Sequence, residues 1–252
     1  KITGNFAIPS FYVKHASVSN ASLSGILSVK MASQTATSLN GFLRSNKTVV
    51  MQNRAEEFEY VGTCNVTDIR SLFYDNKAIG KVTGNFEDVT TLQAAFRSTS
   101  MVNIEDMQLS GASYYQTFYG TAWNAIFSQD FLKGTTSMHQ AFQSSSFLRY
   151  LGTPSTPLDM TSSTAMTETF SGCEALIHAY FQNFTPTSID RIFNSCLALE
   201  TVSGIDCTNV TNANNAFRYA YCLSTLEISN MGISFSLEDC NFNQAGLVNV
   251  FN

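Results

Sequence analysis

The residues best suited to chemistry in this chain are its histidines, its neighbouring carboxylates and its cysteines, and their spacing decides what each could do. His15, His139 and His178 lie far apart, and none has a second histidine or a carboxylate at ligand spacing. A metal site or a general base needs converging partners, so no metal or cofactor is expected, and His139 is expected on an exposed face. Pairs such as Glu56-Glu57, Glu105-Asp106 and Glu238-Asp239 are carboxylate groupings that in principle resemble the acid and base of a glycosidase. Adjacent residues point apart, which favours solvated surface and makes a polysaccharide depolymerase the least favoured function. The G-x-S-x-G, H-E-x-x-H and phosphate-loop patterns are absent. Cys64, Cys173, Cys196, Cys207, Cys222 and Cys240 show no C-x-x-C spacing, so buried free thiols are expected.

Other functions are narrowed by bulk properties. Charged residues make up 13% of the 252 residues, about half the usual share, and the formal net charge is -5. Without a basic stripe to displace counterions, nucleic acid is excluded as an expected partner. No apolar run is long enough to insert in a membrane as a helix. The sequence opens without an initiator Met or a signal-peptide core, and it is expected to be part of a longer polypeptide.

What positions these residues is a repeat. Phe42, Phe73, Phe96, Phe118, Phe142, Phe170, Phe193, Phe217 and Phe251 recur, most of them 22 to 24 residues apart. Four residues before the phenylalanines, from Phe73 on, stand Ile69, Leu92, Tyr114, Met138, Met166, Ile189, Ala213 and Leu247. Immediately before them come Leu72, Ala95, Thr117, Ala141, Thr169, Ile192, Ala216 and Val250. Taking the phenylalanine as position 0, the set -4, -1, 0 lies on one face of a helix, so each anchor is expected on a short helix. Asn65-Val66-Thr67-Asp68 and Asn209-Val210-Thr211-Asn212 supply capping residues upstream, which also accounts for the N-x-S/T tripeptides. Apolar residues at +6 and +9, as in Leu223 and Leu226, mark a short strand.

The expected architecture is therefore an α/β repeat solenoid. Helix-loop-strand units of 22–24 residues stack strands into a parallel sheet and phenylalanines into a spine. Each buried Phe contributes roughly 1.5–3 kcal/mol by area before chain entropy is counted. Residues 1–38 are expected as an irregular N-terminal cap or degenerate repeats, and 39–252 as a solenoid ending mid-repeat.

The segments Met166-x-x-x-Phe170-Ser171-Gly172-Cys173-Glu174-Ala175-Leu176 and Ile189-x-x-x-Phe193-Asn194-Ser195-Cys196-Leu197-Ala198-Leu199 resemble the BspA-type leucine-rich-repeat family, as does Asn209-Val210-Thr211-Asn212-Ala213-x-x-x-Phe217. The resemblance spans residues 62 to 252. It implies a leucine-rich-repeat-like fold and a non-enzymatic surface role, in a bacteriophage tail or fibre or in a bacterial surface adhesin. The closing segment Ile228–Leu237 with Ala245–Phe251 is similar to the last repeat of such phage proteins. The expected location is thus the virion, with the bacterial cell surface as the alternative. The expected partners are a host surface protein or glycan, or other virion proteins, with self-association as a further option.

Aromatic residues outside the repeat register, Tyr115, Tyr119, Trp123, Tyr150, Tyr180, Phe181, Tyr219 and Tyr221, offer rigid contact area with polar tips. The cluster Tyr114, Tyr115, Tyr119 and Trp123 within one repeat is the expected partner or receptor contact.

Overall fold

The computed structural model describes residues 2–4, 28–32, 37–41, 43–44, 57–61, 66–86, 88–101, 108–109 and 113–242. Their strands are β1 (Ile2–Gly4), β2 (Ser28–Ala32), β3 (Glu57–Val61), β4 (Lys81–Thr83), β5 (Asn85–Phe86), β6 (Gln108–Leu109), β7 (Ala125–Ile126), β8 (Tyr150–Leu151), β9 (Leu158–Asp159), β10 (His178–Phe184), β11 (Thr201–Asp206) and β12 (Thr225–Ser229). All strand pairs are parallel. One sheet runs β1-β2-β3-β4 and a second β12-β11-β10-β8-β7, with β9 also on β10, while β5 pairs with β6. Each strand bonds to the equivalent strand one repeat away, so the chain is a parallel β-solenoid whose coils stack along one axis.

The anchor segments correct the sequence expectation. No helix occurs among the described residues, and each described anchor Phe sits in a ribbon of consecutive tight turns. Around Phe170 the local bonds are Thr169 N–H to Met166 O, Ser171 N–H to Glu168 O and Cys173 N–H to Phe170 O. The intervening amides leave the coil: Met166, Glu168, Phe170 and Gly172 donate to Ser188, Asp190, Ile192 and Asn194 of the next one. An α-helix would consume nearly every amide internally. The ribbon instead commits alternate amides to local turns and the rest to the neighbouring coil. Turns and helices both bury -4, -1 and 0, which is why the apolar spacing alone did not separate them.

Alternation requires left-handed residues at -2 and +2 of every described anchor phenylalanine. Ser71, Ala94, Gln116, Gln140, Glu168, Arg191 and Asn215 fill the first position, and Asp75, Ser98, Gly120, Ser144, Gly172, Ser195 and Tyr219 the second, all with φ between 50° and 72°. None is β-branched, the class for which positive φ is most costly.

The same hydrogen bonds reset the register at both ends. Leu39, Gly41 and Leu43 donate to Asp68, Arg70 and Leu72, which puts Leu43 opposite Phe73 and makes it the anchor of its coil. Phe42, expected in that role, lies outside the described residues, as does Phe251. After Phe217 the next position-0 residue is Leu237: Cys240 N–H donates to Leu237 O, and Cys240 Sγ donates to Phe217 O at 3.4 Å. Ile233, Phe235 and Leu237, which alternate like a strand, belong to this last described coil and form no strand.

Inside, the rings stack from coil to coil. Centroids are 5.4 Å apart for Phe73–Phe96, 5.6 Å for Phe96–Phe118, 5.0 Å for Phe118–Phe142, 5.5 Å for Phe142–Phe170, 5.6 Å for Phe170–Phe193 and 5.9 Å for Phe193–Phe217, with ring planes within 26° of parallel. Polar residues facing this core serve the stack. At -1, Thr117 and Thr169 hydroxyls donate to Leu92 O and Met138 O of the preceding coil. At +3, Asn76, Ser145, Cys173 and Cys196 donate to the carbonyl of the preceding anchor, respectively Leu43, Phe118, Phe142 and Phe170. A small donor at +3 thus gives the anchor carbonyl a second partner.

β10 and β11 turn a corner through register shifts, between Tyr180 and Phe184 and between Ser203 and Ile205. Gly204 lies there with φ +86°, and a Cβ on it would sit 1.9 Å from Phe181 O. Gly134 has a similar φ of +81°, but a Cβ on it would meet nothing within 4 Å. Gly134→Ala should therefore cost about 1–2 kcal/mol of backbone strain, whereas Gly204→Ala should lose much more or fail to fold. Denaturant titration of the two variants checks this, and equal losses would contradict the corner geometry.

Candidate functional site

The expected contact residues divide between core and surface. Tyr114 and Trp123 are each only 1% exposed. Trp123 stacks on Phe118 at 5.0 Å and Phe142 at 5.5 Å and meets Phe131 edge-on at 5.3 Å. Tyr114 meets Phe118 edge-on, and its phenol is pushed up by burial, offset in part by a hydrogen bond with Thr135. These two are parts of the spine and cannot present a contact surface. Tyr115 and Tyr119 are half-exposed on the outer side of the turn ribbon. There Tyr115 stacks on His139 at 5.3 Å.

Tyr119 ends a row at position +1 in which cations and rings alternate from coil to coil. The Arg44 guanidinium lies 4.4 Å from the Tyr74 ring centre, and that of Arg97 lies 5.4 Å from Tyr74 and 4.2 Å from Tyr119. Beside it runs a polar ladder. Arg97 donates to Gln116, Gln116 to Gln140, and Gln140 to Glu168, which also accepts from Gln143 and Arg191. The Gln140 hydrogen bond, with those of Arg191 and Gln143, holds the Glu168 carboxyl below its ordinary range against the opposing effect of burial. The groups of this face are already partnered with one another.

A second aromatic group lies on the sheet. Along β8 and β10 inward Leu151, Ala179 and Phe181 are buried, while Tyr150, His178 and Tyr180 face out. Register places Tyr150 beside Ala125 on one side and His178 on the other. Phe127, two residues beyond Ala125, is 49% exposed and stacks on Tyr150 at 6.3 Å. Tyr150 and His178 are 6.0 Å apart and His178 and Tyr180 5.9 Å. The Arg149 guanidinium stands 5.7 Å from the Tyr150 ring centre. Tyr150 and Tyr180 were legible as aromatics outside the register; Phe127 and His178 join them only through strand pairing.

The remaining chemical candidates are scattered. Glu57, Glu238 and Asp239 are exposed, and His15, Cys64, Glu56, Glu105 and Asp106 lie outside the described residues. Burial also acts on Asp68 and Asp159, raising each carboxyl, but hydrogen bonds and a cation outweigh it: Arg70 for Asp68, and Thr161, Asn183 and Lys133 for Asp159. Both end below the usual value. Asp206 is lowered by hydrogen bonds from Thr208 and Asn230. Among the described residues no group of three or more His, Cys, Asp or Glu could hold a metal, and no helix is long and apolar enough to cross a membrane. The free thiols Cys173, Cys196 and Cys207 are buried, Cys240 is partly buried and Cys222 is exposed. Burial pushes Cys173 up to about 12, and Cys196 well above its ordinary value. Comparison with family models, with curated proteins and with solved structures gives no match.

Two expectations follow. Trp123→Ala should cost about 3–5 kcal/mol, while Tyr119→Ala on the surface should cost far less; chemical denaturation separates them. For the thiols, the folded state holds protons that the unfolded state releases near pH 9, so stability is full below that pH and falls as pH rises toward 12. A Cys173→Ser, Cys196→Ser variant keeps the donors without the titration, and its stability should fall less steeply over that interval.

Proposed function

We propose that this solenoid is a non-enzymatic binding module on the exterior of a bacteriophage virion, of tail or fibre type, serving host attachment or virion assembly. The observation that carries this reading is the group of Phe127, Tyr150, His178 and Tyr180 on the outer face of a sheet whose inner face already completes the core. A rigid stack presenting rings that the core does not use is suited to recognition. The weakly charged surface agrees with an exterior structural protein. Non-catalytic action draws support from the shifted carboxyls among the described residues, Asp68, Asp159, Glu168 and Asp206: these move down, whereas a glycosidase acid is moved up.

Kinship with the BspA-type leucine-rich repeats belongs to the same proposal and rests on the F-x-x-C segments at Phe170 and Phe193. In that case the turn ribbon is this chain's version of the anchor segment. The repeat motif equally supports a bacterial surface adhesin, which is the second reading.

Immunogold labelling of the particles and cells that carry the chain tests location. Gold on virion tails is the expected result, gold on the cell wall would favour the adhesin, and gold confined to the cytoplasm would overturn both. Incubation with bacterial polysaccharides should release no reducing sugar; release abolished by Glu57→Gln or Glu238→Gln would establish an enzyme instead.

A further inference from the structure

We propose that the patch formed by Phe127, Tyr150, His178 and Tyr180, with Arg149 at its margin, is a glycan-binding subsite that seats pyranose rings against the outer face of β7, β8 and β10. This deepens the reading of the solenoid as a binding module and rests on it.

The patch is local. Outward positions on the next strands of the same sheet are polar or charged, with Thr201 and Ser203 on β11 and Thr225 and Glu227 on β12, as are Lys81 and Thr83 on β4 of the other sheet. Solvent-facing strand positions are ordinarily of that kind. The rings are also dispensable for the fold, since Ile126, Leu151, Ala179 and Phe181 fill the interior behind them.

The size of the patch selects among occupants. A fully buried aromatic side chain covers 150–250 Å², so Phe127, about half exposed, and three rings that are each mostly covered leave at most about 400 Å² for a ligand. A stable protein interface needs about 800 Å² from each partner. The apolar area is too small to anchor a protein by itself and adequate for one or a few sugar rings.

The chemistry fits the same occupant. A pyranose has an apolar C–H face that lies against an aromatic ring, and a rim of hydroxyls that needs donors and acceptors. Here ring faces sit 5.9 to 6.3 Å apart. The margin supplies the Arg149 guanidinium on one side and, across β10, Thr201 and Ser203, whose register partners are His178 and Tyr180. Arg149 also provides a charge partner for an acidic sugar. The loop 152–157 rises at the exit of β8 with its hydroxyls bonded to one another, Thr153 to Ser155 at 3.1 Å and to Thr156 at 2.7 Å, so it holds its shape beside the patch.

Calorimetric titration of the whole chain with cellohexaose, maltohexaose, chitohexaose and hyaluronan hexasaccharide tests the proposal. At least one of the four should bind, and Phe127→Ala and Tyr150→Ala should each weaken that binding at least tenfold with melting temperatures little changed. Phe147→Ala, which removes a 65% exposed ring elsewhere, should leave it unaltered. Absence of binding by all four probes, or equal binding by Tyr150→Ala, overturns the proposal. Attachment of the labelled chain to a panel of bacterial strains separates the two levels of inference. If Tyr150→Ala abolishes attachment while no probe binds, the module still binds cells, but through a partner that is not a glycan.

Discussion

The structure depends on a division of labour among backbone amides. In the anchor segments of Phe73, Phe118, Phe142, Phe170 and Phe193, amides at -4, -2, 0 and +2 reach the next coil, while those at -1, +1 and +3 close local turns. A buried backbone donor must be paired, and in these segments the alternation pairs the amides from -4 to +3, apart from -3, without a helix or a regular strand. Its cost is the left-handed conformation at two positions per coil. In exchange, each coil templates the next, so the phenylalanine rings are held at near-constant separation and the inner faces of the strands close over them.

Much of this order was legible in the sequence, and its limits have physical causes. The phenylalanine period, the apolar residues at -4 and -1, and a parallel sheet all follow from side chains that must meet their own copies one coil away. Helix and turn ribbon could not be separated by that spacing, because both bury the same three positions. The distinguishing signal lay at -2 and +2, where a chain rich in Val, Ile and Thr places none of them and uses mostly Ser, Asp, Asn, Gln, Glu and Gly, with Ala94, Arg191 and Tyr219 once each. Position +3 carried a second signal. Asn76, Ser145, Cys173 and Cys196 look unrelated by residue type but share one act, donating to an anchor carbonyl. Reading Cys173 and Cys196 alone as the motif hid that equivalence. At the start of the described stack, aromatic identity misled: Leu43 occupies the anchor slot by hydrogen-bond register, although a phenylalanine stands next to it, and after Phe217 Leu237 takes that slot.

The surface was less legible than the core. Tyr114 and Trp123 cluster in sequence, yet an aromatic ring in this chain is as apt to extend the spine as to face solvent. Trp123 packs against both Phe118 and Phe142, which stack on each other, and so joins the spine. The sheet-face patch draws its rings from three coils and acquires meaning only once pairing of β7, β8 and β10 brings Phe127, just past β7, beside Tyr150 and His178. No period announces it, because among the described strand residues the outward rings gather on these strands alone while β11 and β12 keep polar outer faces.

The loop 152–157 bears on how such a molecule can diversify. It enters between β8 and β9, accounts for much of the longer interval between Phe142 and Phe170, and satisfies its own hydroxyls. The coil that carries it keeps every ribbon bond to both neighbours. The circumference of one coil can therefore grow without disturbing the pitch of the stack. Sequence change is tolerated at the corners and penalised along the spine, so new surface shapes can be trialled one coil at a time while the scaffold stays the same.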